Sequence, residues 1–240
     1  MNGSRETFIP DPKLTEEFRR YCTEECGIDL LGIADVNRIN ENARPGRRAC
    51  DLYPAARAVL VIGVGLLDPF TRGWVRSGNS GPFYSLALLE LERRCWLIRR
   101  FLRQKGYQCY GGDAYGGGLF SCGSRFSNIA ESCGMGYIGR SNALVTEKYG
   151  PRINLVCMGT NAPLEPADVH PELQCGSCRA CQNACISGAI MGDGYFHQRQ
   201  CECMINSSPN KRYYSDHVDQ DCDRCLAVCP KGDYHWRKNR

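Results

Sequence analysis

The 240-residue chain is 42% hydrophobic and 23% charged, with 17 cysteines and a formal net charge of +4. That hydrophobic content excludes a disordered or low-complexity protein, and the length admits one sizeable core or a core domain with a small appendage. The charge demands no nucleic-acid partner. No basic head with an apolar stretch behind it opens the chain, and the longest apolar run, Ala58–Leu67, is about half of what crosses a bilayer, so a soluble, cytoplasmic protein with no membrane partner is expected.

In chain order, Asp11-Pro12 reads as an N-cap with proline at the first helical position. Leu14, Phe18, Tyr21 and Cys22 follow at helical spacing until Gly27. Leu30–Ala34 and Ala58–Val64 are short apolar runs of the kind buried strands show. Leu88, Leu91, Cys95, Ile98 and Leu102 form one helical stripe, stopped at Gly106. Tyr107–Tyr110 reads as a strand, Phe126, Ile129, Ala130 and Cys133 as a helix, and Arg152–Met158 as a strand. The alternation predicts an α/β domain. The turn-rich stretch Asn161-Ala162-Pro163-Leu164-Glu165-Pro166, with His170-Pro171 after it, reads as a linker to a small cysteine-rich domain. The predicted domains are residues 1–165 and 166–240.

Cysteine distribution supports that division, because nine of the 17 lie between Cys175 and Cys229. A cysteine content this high suits a secreted disulfide scaffold, zinc sites or iron–sulfur clusters. The missing leader and the odd count set the first aside. Cys175-x2-Cys178-x2-Cys181-x3-Cys185 matches the run in which three thiolates hold one [4Fe–4S] cluster and the fourth ligates another. Cys222-x2-Cys225-x3-Cys229-Pro230 is the reciprocal half. Cluster one is therefore assigned to Cys175, Cys178, Cys181 and Cys229, and cluster two to Cys185, Cys222, Cys225 and one of Cys201 and Cys203. Zinc is the alternative, but four tetrahedral ligands would leave the third closely spaced cysteine redundant. Two oxidised clusters, each about −2, would bring the net charge near zero. The outlying cysteines read as small buried hydrophobes.

Four segments carry a resemblance. They are Gly27-Ile28-Asp29-Leu30-Leu31-Gly32-Ile33-Ala34, then Leu52-Tyr53-Pro54-Ala55-Ala56-Arg57-Ala58-Val59-Leu60-Val61. Next comes Cys133-Gly134-Met135-Gly136-Tyr137-Ile138-Gly139-Arg140-Ser141 with Tyr149-Gly150-Pro151-Arg152, and last the cysteine pattern with Ser187-Gly188-Ala189-Ile190. In this order they resemble the epoxyqueuosine reductases and reductive dehalogenases over nearly the whole chain. The resemblance implies an α/β (α+β) fold, with a nitroreductase-like, cobalamin-binding domain followed by a bacterial-ferredoxin-like domain holding two [4Fe–4S] clusters. It favours Cys201 over Cys203 as the remaining ligand. It also implies a corrinoid between the α/β domain and the nearer cluster.

The loop from Gly134 to Asn142 is then the candidate for that corrinoid. Its glycines permit close backbone approach, and Tyr137, Gly139, Arg140, Ser141 and Asn142 are the candidate contacts. The plain alternative is a glycine-rich turn before a strand with Arg140 solvated. Gly111-Gly112-Asp113-Ala114-Tyr115-Gly116-Gly117-Gly118 is a second permissive loop.

Departures from the family pattern shape the expected function. The aspartate that donates a proton in epoxyqueuosine reductases has no counterpart in Leu119-Phe120-Ser121-Cys122-Gly123-Ser124, and the chain ends soon after Cys229, without the helical repeats that bind tRNA. Reduction of epoxyqueuosine in tRNA is therefore not expected. Ile186 replaces the proline that normally follows the fourth cysteine. The expected function is an iron–sulfur oxidoreductase passing electrons through two clusters to a bound corrinoid, for reductive-dehalogenase-like cleavage of a small molecule. Tyr115, Tyr84 and Asp113 are the candidate proton donors. The alternatives are an electron-transfer module that reduces a partner corrinoid protein, and a flavin-bearing ferredoxin fusion using FMN. The basic pairs Lys211-Arg212 and Arg237-Lys238 suit an acidic electron donor such as ferredoxin or flavodoxin.

Overall fold

The computed structural model describes residues 9–41, 46, 48–66, 81–112, 126–168, 174–192, 195–197, 200–201 and 224–232, with the side chains of 81–88 and 126 set aside. The first helix, α1 (Pro12–Arg20), begins where its cap chemistry dictates. Asp11 Oδ1 accepts the Leu14 N–H at 3.0 Å, and Pro12 occupies a position whose N–H would have no helical partner. Asp11→Ala should therefore cost about 1 kcal/mol, a fall in Tm of about 3 °C in thermal unfolding. A π-helical segment, Tyr21–Glu25, continues α1, and the chain leaves it at Gly27 with φ +63°. Tyr21 stacks on Phe101 at 4.5 Å between ring centroids.

The strands β1 (Leu30–Asp35) and β2 (Ala58–Gly65) pair antiparallel, from Leu30 against Gly63 to Asp35 against Ala58. Between them lie α2 (Val36–Glu41) and α3 (Ala49–Leu52). The long helix α4 (Gly81–Gln104) ends at Gly106, whose φ of +86° suits a helix-terminating glycine. Strand β3 (Cys109–Gly111), helix α5 (Phe126–Ser132) and the short strands β4 (Tyr137–Ile138) and β5 (Leu144–Val145) precede β6 (Ile153–Thr160). The main sheet runs β1-β2-β6-β3, with β3 antiparallel to β6. Backbone bonds from Arg57 to Thr160 and from Leu66 to Arg152 run β2 and β6 in opposite directions too. The α/β expectation thus becomes a mixed fold around an antiparallel sheet. Residues Ala58 to Val64 of β2 are buried on both faces, which is why their apolar run is unbroken.

By close packing the chain divides into two units, each discontinuous in sequence. One comprises Met1–Val64, Leu88–Met135 and Asn154–His170, and the other Gly65–Ala87, Gly136–Ile153 and Pro171–Arg240. The first unit holds the main core, with Phe18, Ile33, Leu60, Ile62, Leu91, Ile98, Leu102, Ile129, Met158 and Leu164 fully buried. Each such side chain contributes on the order of 2 kcal/mol.

Five of the outlying cysteines, Cys22, Cys26, Cys95, Cys133 and Cys157, belong to this core. Burial pushes the Cys95, Cys109 and Cys133 thiols up to about 12, so they are neutral hydrophobes at neutral pH. The stretch expected as a linker is packed instead. Ala162 and Leu164 are fully buried, Asp11 N–H donates to Pro163 O at 2.7 Å, and Glu165 N–H donates to Thr15 Oγ1 at 2.8 Å. Among the described residues no helix is long and apolar enough to cross a membrane.

Candidate metal centre

The second unit gathers the cysteine motif. Cys175 and Cys178 flank a turn in which Gly176 takes φ +57° and the Cys178 N–H donates to Cys175 O at 3.3 Å. Cys181 lies on α6 (Ala180–Ala184), Cys225 on α7 (Arg224–Ala227), and Cys229 directly after α7. Helices α6 and α7 lie against each other, which brings residues about 45 positions apart in sequence into one site.

The electrostatics show which sulfurs share that site. Burial raises the Cys181 thiol, and so do the sulfurs of Cys175 and Cys229. Burial also raises Cys229, with Cys175 and Cys178 adding to it, against the lowering effects of the Lys231 amide and the Arg152 guanidinium. Of the four thiols assigned to cluster one, Cys175 and Cys229 thus lie near Cys181, and Cys175 and Cys178 lie near Cys229. Four like-charged thiolates repel unless a polycation holds them, so their convergence fits the donor set of a [4Fe–4S] cluster. Among the described residues no three Cys, His, Asp or Glu side chains are placed around a single ion. One zinc would need thiolates about 4 Å apart, since each Zn–S bond is about 2.3 Å, whereas a cubane spreads its ligands around a larger body.

Cys185 has a different environment. Burial pushes its thiol up, but the Ser187 hydroxyl and the amides of Ile190, Ala189 and Ser187 outweigh this, and the net shift is downward. The Ser187 Oγ lies 3.6 Å from its sulfur. Cys201 and Cys225 are partly exposed. Cys222 and Cys203 lie outside the described residues, so the second ligand set is seen only through Cys185, Cys201 and Cys225.

Beside these cysteines lies the loop expected to meet the corrinoid. Strand β4 pairs with β5, Tyr137 against Val145, and a tight turn joins them. Asn142 has φ +61°, the only non-glycine with positive φ among the described residues, and its N–H donates to Gly139 O at 2.8 Å. Its identity is explained by the turn, which Ser141 shares. Gly139 approaches the cluster ligands so closely that a Cβ there would stand 3.5 Å from Cys175 Sγ and 2.7 Å from Val145 Cγ2. The next N–H, that of Arg140, donates to the same sulfur at 3.3 Å.

The Arg140 guanidinium, a candidate corrinoid contact, donates to Cys178 O at 3.1 Å and Gly176 O at 3.0 Å, bracing the Cys175–Cys178 turn. Tyr137 is buried, and its hydroxyl has no nitrogen or oxygen partner among the described residues but faces the Cys175 sulfur. Burial, and after it the sulfur of Cys175, hold the phenol well above its usual range.

Sequence reasoning quoted Arg152 within a motif but assigned it no role. It is 2% exposed. One guanidinium nitrogen donates to Leu226 O and Cys229 O, and the other to Cys229 O at 3.3 Å and Lys231 O at 2.6 Å. The side chain thus grips the backbone on both sides of Cys229. No local pattern singles it out, since its burial and its acceptors are set by the fold, and so costly a group is buried only against a fixed set of acceptors. The candidate proton donors Tyr115 and Asp113 lie outside the described residues. Tyr84 lies on α4, where only the backbone is described.

No family model matches the chain. Among curated proteins, an epoxyqueuosine reductase of Bacillus subtilis is 34% identical over 117 residues, covering 45% of this chain and 30% of that protein. One of Listeria monocytogenes is 31% identical over 124 residues, covering 46% and 31%. These matches span about a third of the curated relatives' length. Among solved structures, a selenomethionine-labelled epoxyqueuosine reductase superposes with a TM-score of 0.69 at 21% identity, covering 91% of this chain and 65% of that one. A reductive dehalogenase structure described in terms of B12-dependent dehalogenation gives 0.66 at 17% identity, covering 95% and 34%. At such identities the superpositions establish a shared fold.

Proposed function

We propose, from the fold shared with solved epoxyqueuosine reductases and reductive dehalogenases, that the chain is an iron–sulfur oxidoreductase that feeds electrons to a bound corrinoid for reductive cleavage of a small molecule. The observation that carries this reading is the convergence of Cys175, Cys178, Cys181 and Cys229 beside the Gly139–Arg140 backbone. When bound, the clusters supply one-electron transfer and the corrinoid supplies the metal that breaks the substrate bond.

The chain's own contribution is positional. Cys185 lies one short helix beyond Cys181, so ligation of the second cluster there would keep the two clusters close. Cys229 and Cys225 make the reciprocal link through α7. In this reading residues 1–165 form the nitroreductase-like domain and 166–240 the ferredoxin-like one. A ferredoxin or flavodoxin is the proposed electron donor, and Tyr84, Tyr115 and Asp113 are the proposed proton donors. The relatives found lend no support to FMN.

Anaerobic reconstitution with iron, sulfide and cobalamin tests the proposal. Two clusters and a base-off Co(II) EPR signal are expected, and flavin binding without corrinoid would overturn it. Turnover of an organohalide panel by the chemically reduced protein separates an enzyme from a module that reduces a partner's corrinoid. Epoxyqueuosine-modified tRNA is the comparison substrate, since the curated relatives are named for that reaction. Cys201→Ser should halve the iron bound, whereas Cys203→Ser should leave it unchanged. The opposite pattern would transfer the ligand to Cys203.

A further inference from the structure

Resting on the cluster reading above, we propose that the Tyr137 hydroxyl is a hydrogen-bond donor to the nearer cluster at its Cys175 corner, and that it sets that cluster's potential. Tyr137 is held on β4 by its pairing with Val145 and is only 8% exposed. Its Oη is buried, has no nitrogen or oxygen partner among the described residues, and faces the Cys175 sulfur. Buried phenols nearly always find a partner, and the acceptor in reach here is the Cys175 sulfur, which is an anionic thiolate when it ligates a cluster.

The surroundings identify that acceptor. Two residues along the same loop, the Gly139 backbone lies against Cys175 Sγ, and the Arg140 N–H already donates to that sulfur at 3.3 Å. Thiolates and sulfides of a cluster are anionic acceptors, and they accept more strongly after reduction. A donor at this corner therefore favours the reduced state and raises the potential. Tyr137 is a positioning residue in this sense and takes no part in the bond cleavage.

Tyr137→Phe separates this role from simple packing, because it removes one oxygen and keeps the ring. In the apo protein it deletes no more than a weak O–H···S contact, so the melting temperature should change little. In the reconstituted protein the iron content should be unchanged, while an EPR-monitored redox titration should show one cluster harder to reduce. The expected change is roughly threefold to tenfold in the reduced-to-oxidised ratio, where tenfold is about 59 mV for one electron. An unmoved potential in a fully loaded variant overturns the assignment alone, and so does an apo protein destabilised as if a core cavity had opened. Failure of the unsubstituted protein to load any cluster overturns the cluster reading and this assignment with it.

Discussion

Arg152→Met is expected to leave the protein without its nearer cluster and to destabilise the apo protein by about 3–5 kcal/mol. The guanidinium is nearly inaccessible to water and serves the carbonyls of Leu226, Cys229 and Lys231. A thioether fills much of the same volume but donates nothing. Each buried carbonyl left without its donor costs about 1–3 kcal/mol, and the backbone around Cys229 would move toward solvent to recover hydrogen bonds. Cys229 is both a proposed ligand and one end of that segment, so the loss of stability and the loss of cluster have one cause. Arg152→Lys keeps the charge, but one ammonium cannot span acceptors that a planar fork reaches on two sides, so it should fall between the two. Iron content after anaerobic reconstitution and urea unfolding of the apo protein measure the two effects. A Met variant with full iron and an unshifted unfolding midpoint would show that the grip on Leu226–Lys231 is dispensable.

Gly150→Ala is expected to act on the same segment by collision. Gly150 has φ +58°, and a Cβ on it would stand 2.1 Å from Lys231 O and 3.0 Å from Arg152 Nη2. Gly232 answers it from the other side, since a Cβ there would lie 2.5 Å from Gly150 N. Left-handed backbone costs a side-chain-bearing residue about 1–2 kcal/mol, and overpacking adds about 1–3 kcal/mol. The control is Gly27→Ala, which has a similar φ of +63° but nothing within 4 Å of its Cβ. It should pay only the backbone cost, about 1–2 kcal/mol, and keep both clusters. Urea unfolding and iron analysis of the pair separate conformational strain from contact with the cluster-bearing segment. Equal losses in the two variants would contradict the close approach at Lys231.

Local chemistry was legible in the sequence wherever the relevant partners are near neighbours. The start of α1 follows from Asp11 and Pro12 because an N-cap reaches only three residues ahead. The end of α4 follows from Gly106 for the same reason. Its beginning at Gly81–Pro82, behind Ser80, carries the same kind of cap-and-proline signal as Asp11-Pro12, but the apolar stripe starts only at Leu88. In Asn161–Pro166, prolines and asparagines report that the backbone turns, without reporting that Ala162 and Leu164 then fall into a core.

The cysteines show the same division. Their spacing by itself pointed to a segment of closely spaced thiolates able to wrap a compact body, and their distance from that segment set the outlying thiols aside as hydrophobes. Tertiary structure alone decided what surrounds that body. Tyr137, Arg140 and Arg152 stand tens of residues from the cysteines they touch, and nothing in a local pattern says that an arginine's donors will be taken by the carbonyls of a distant turn. Hydrogen bonds are short-ranged and directional, so their partners become known only when packing has brought the segments together.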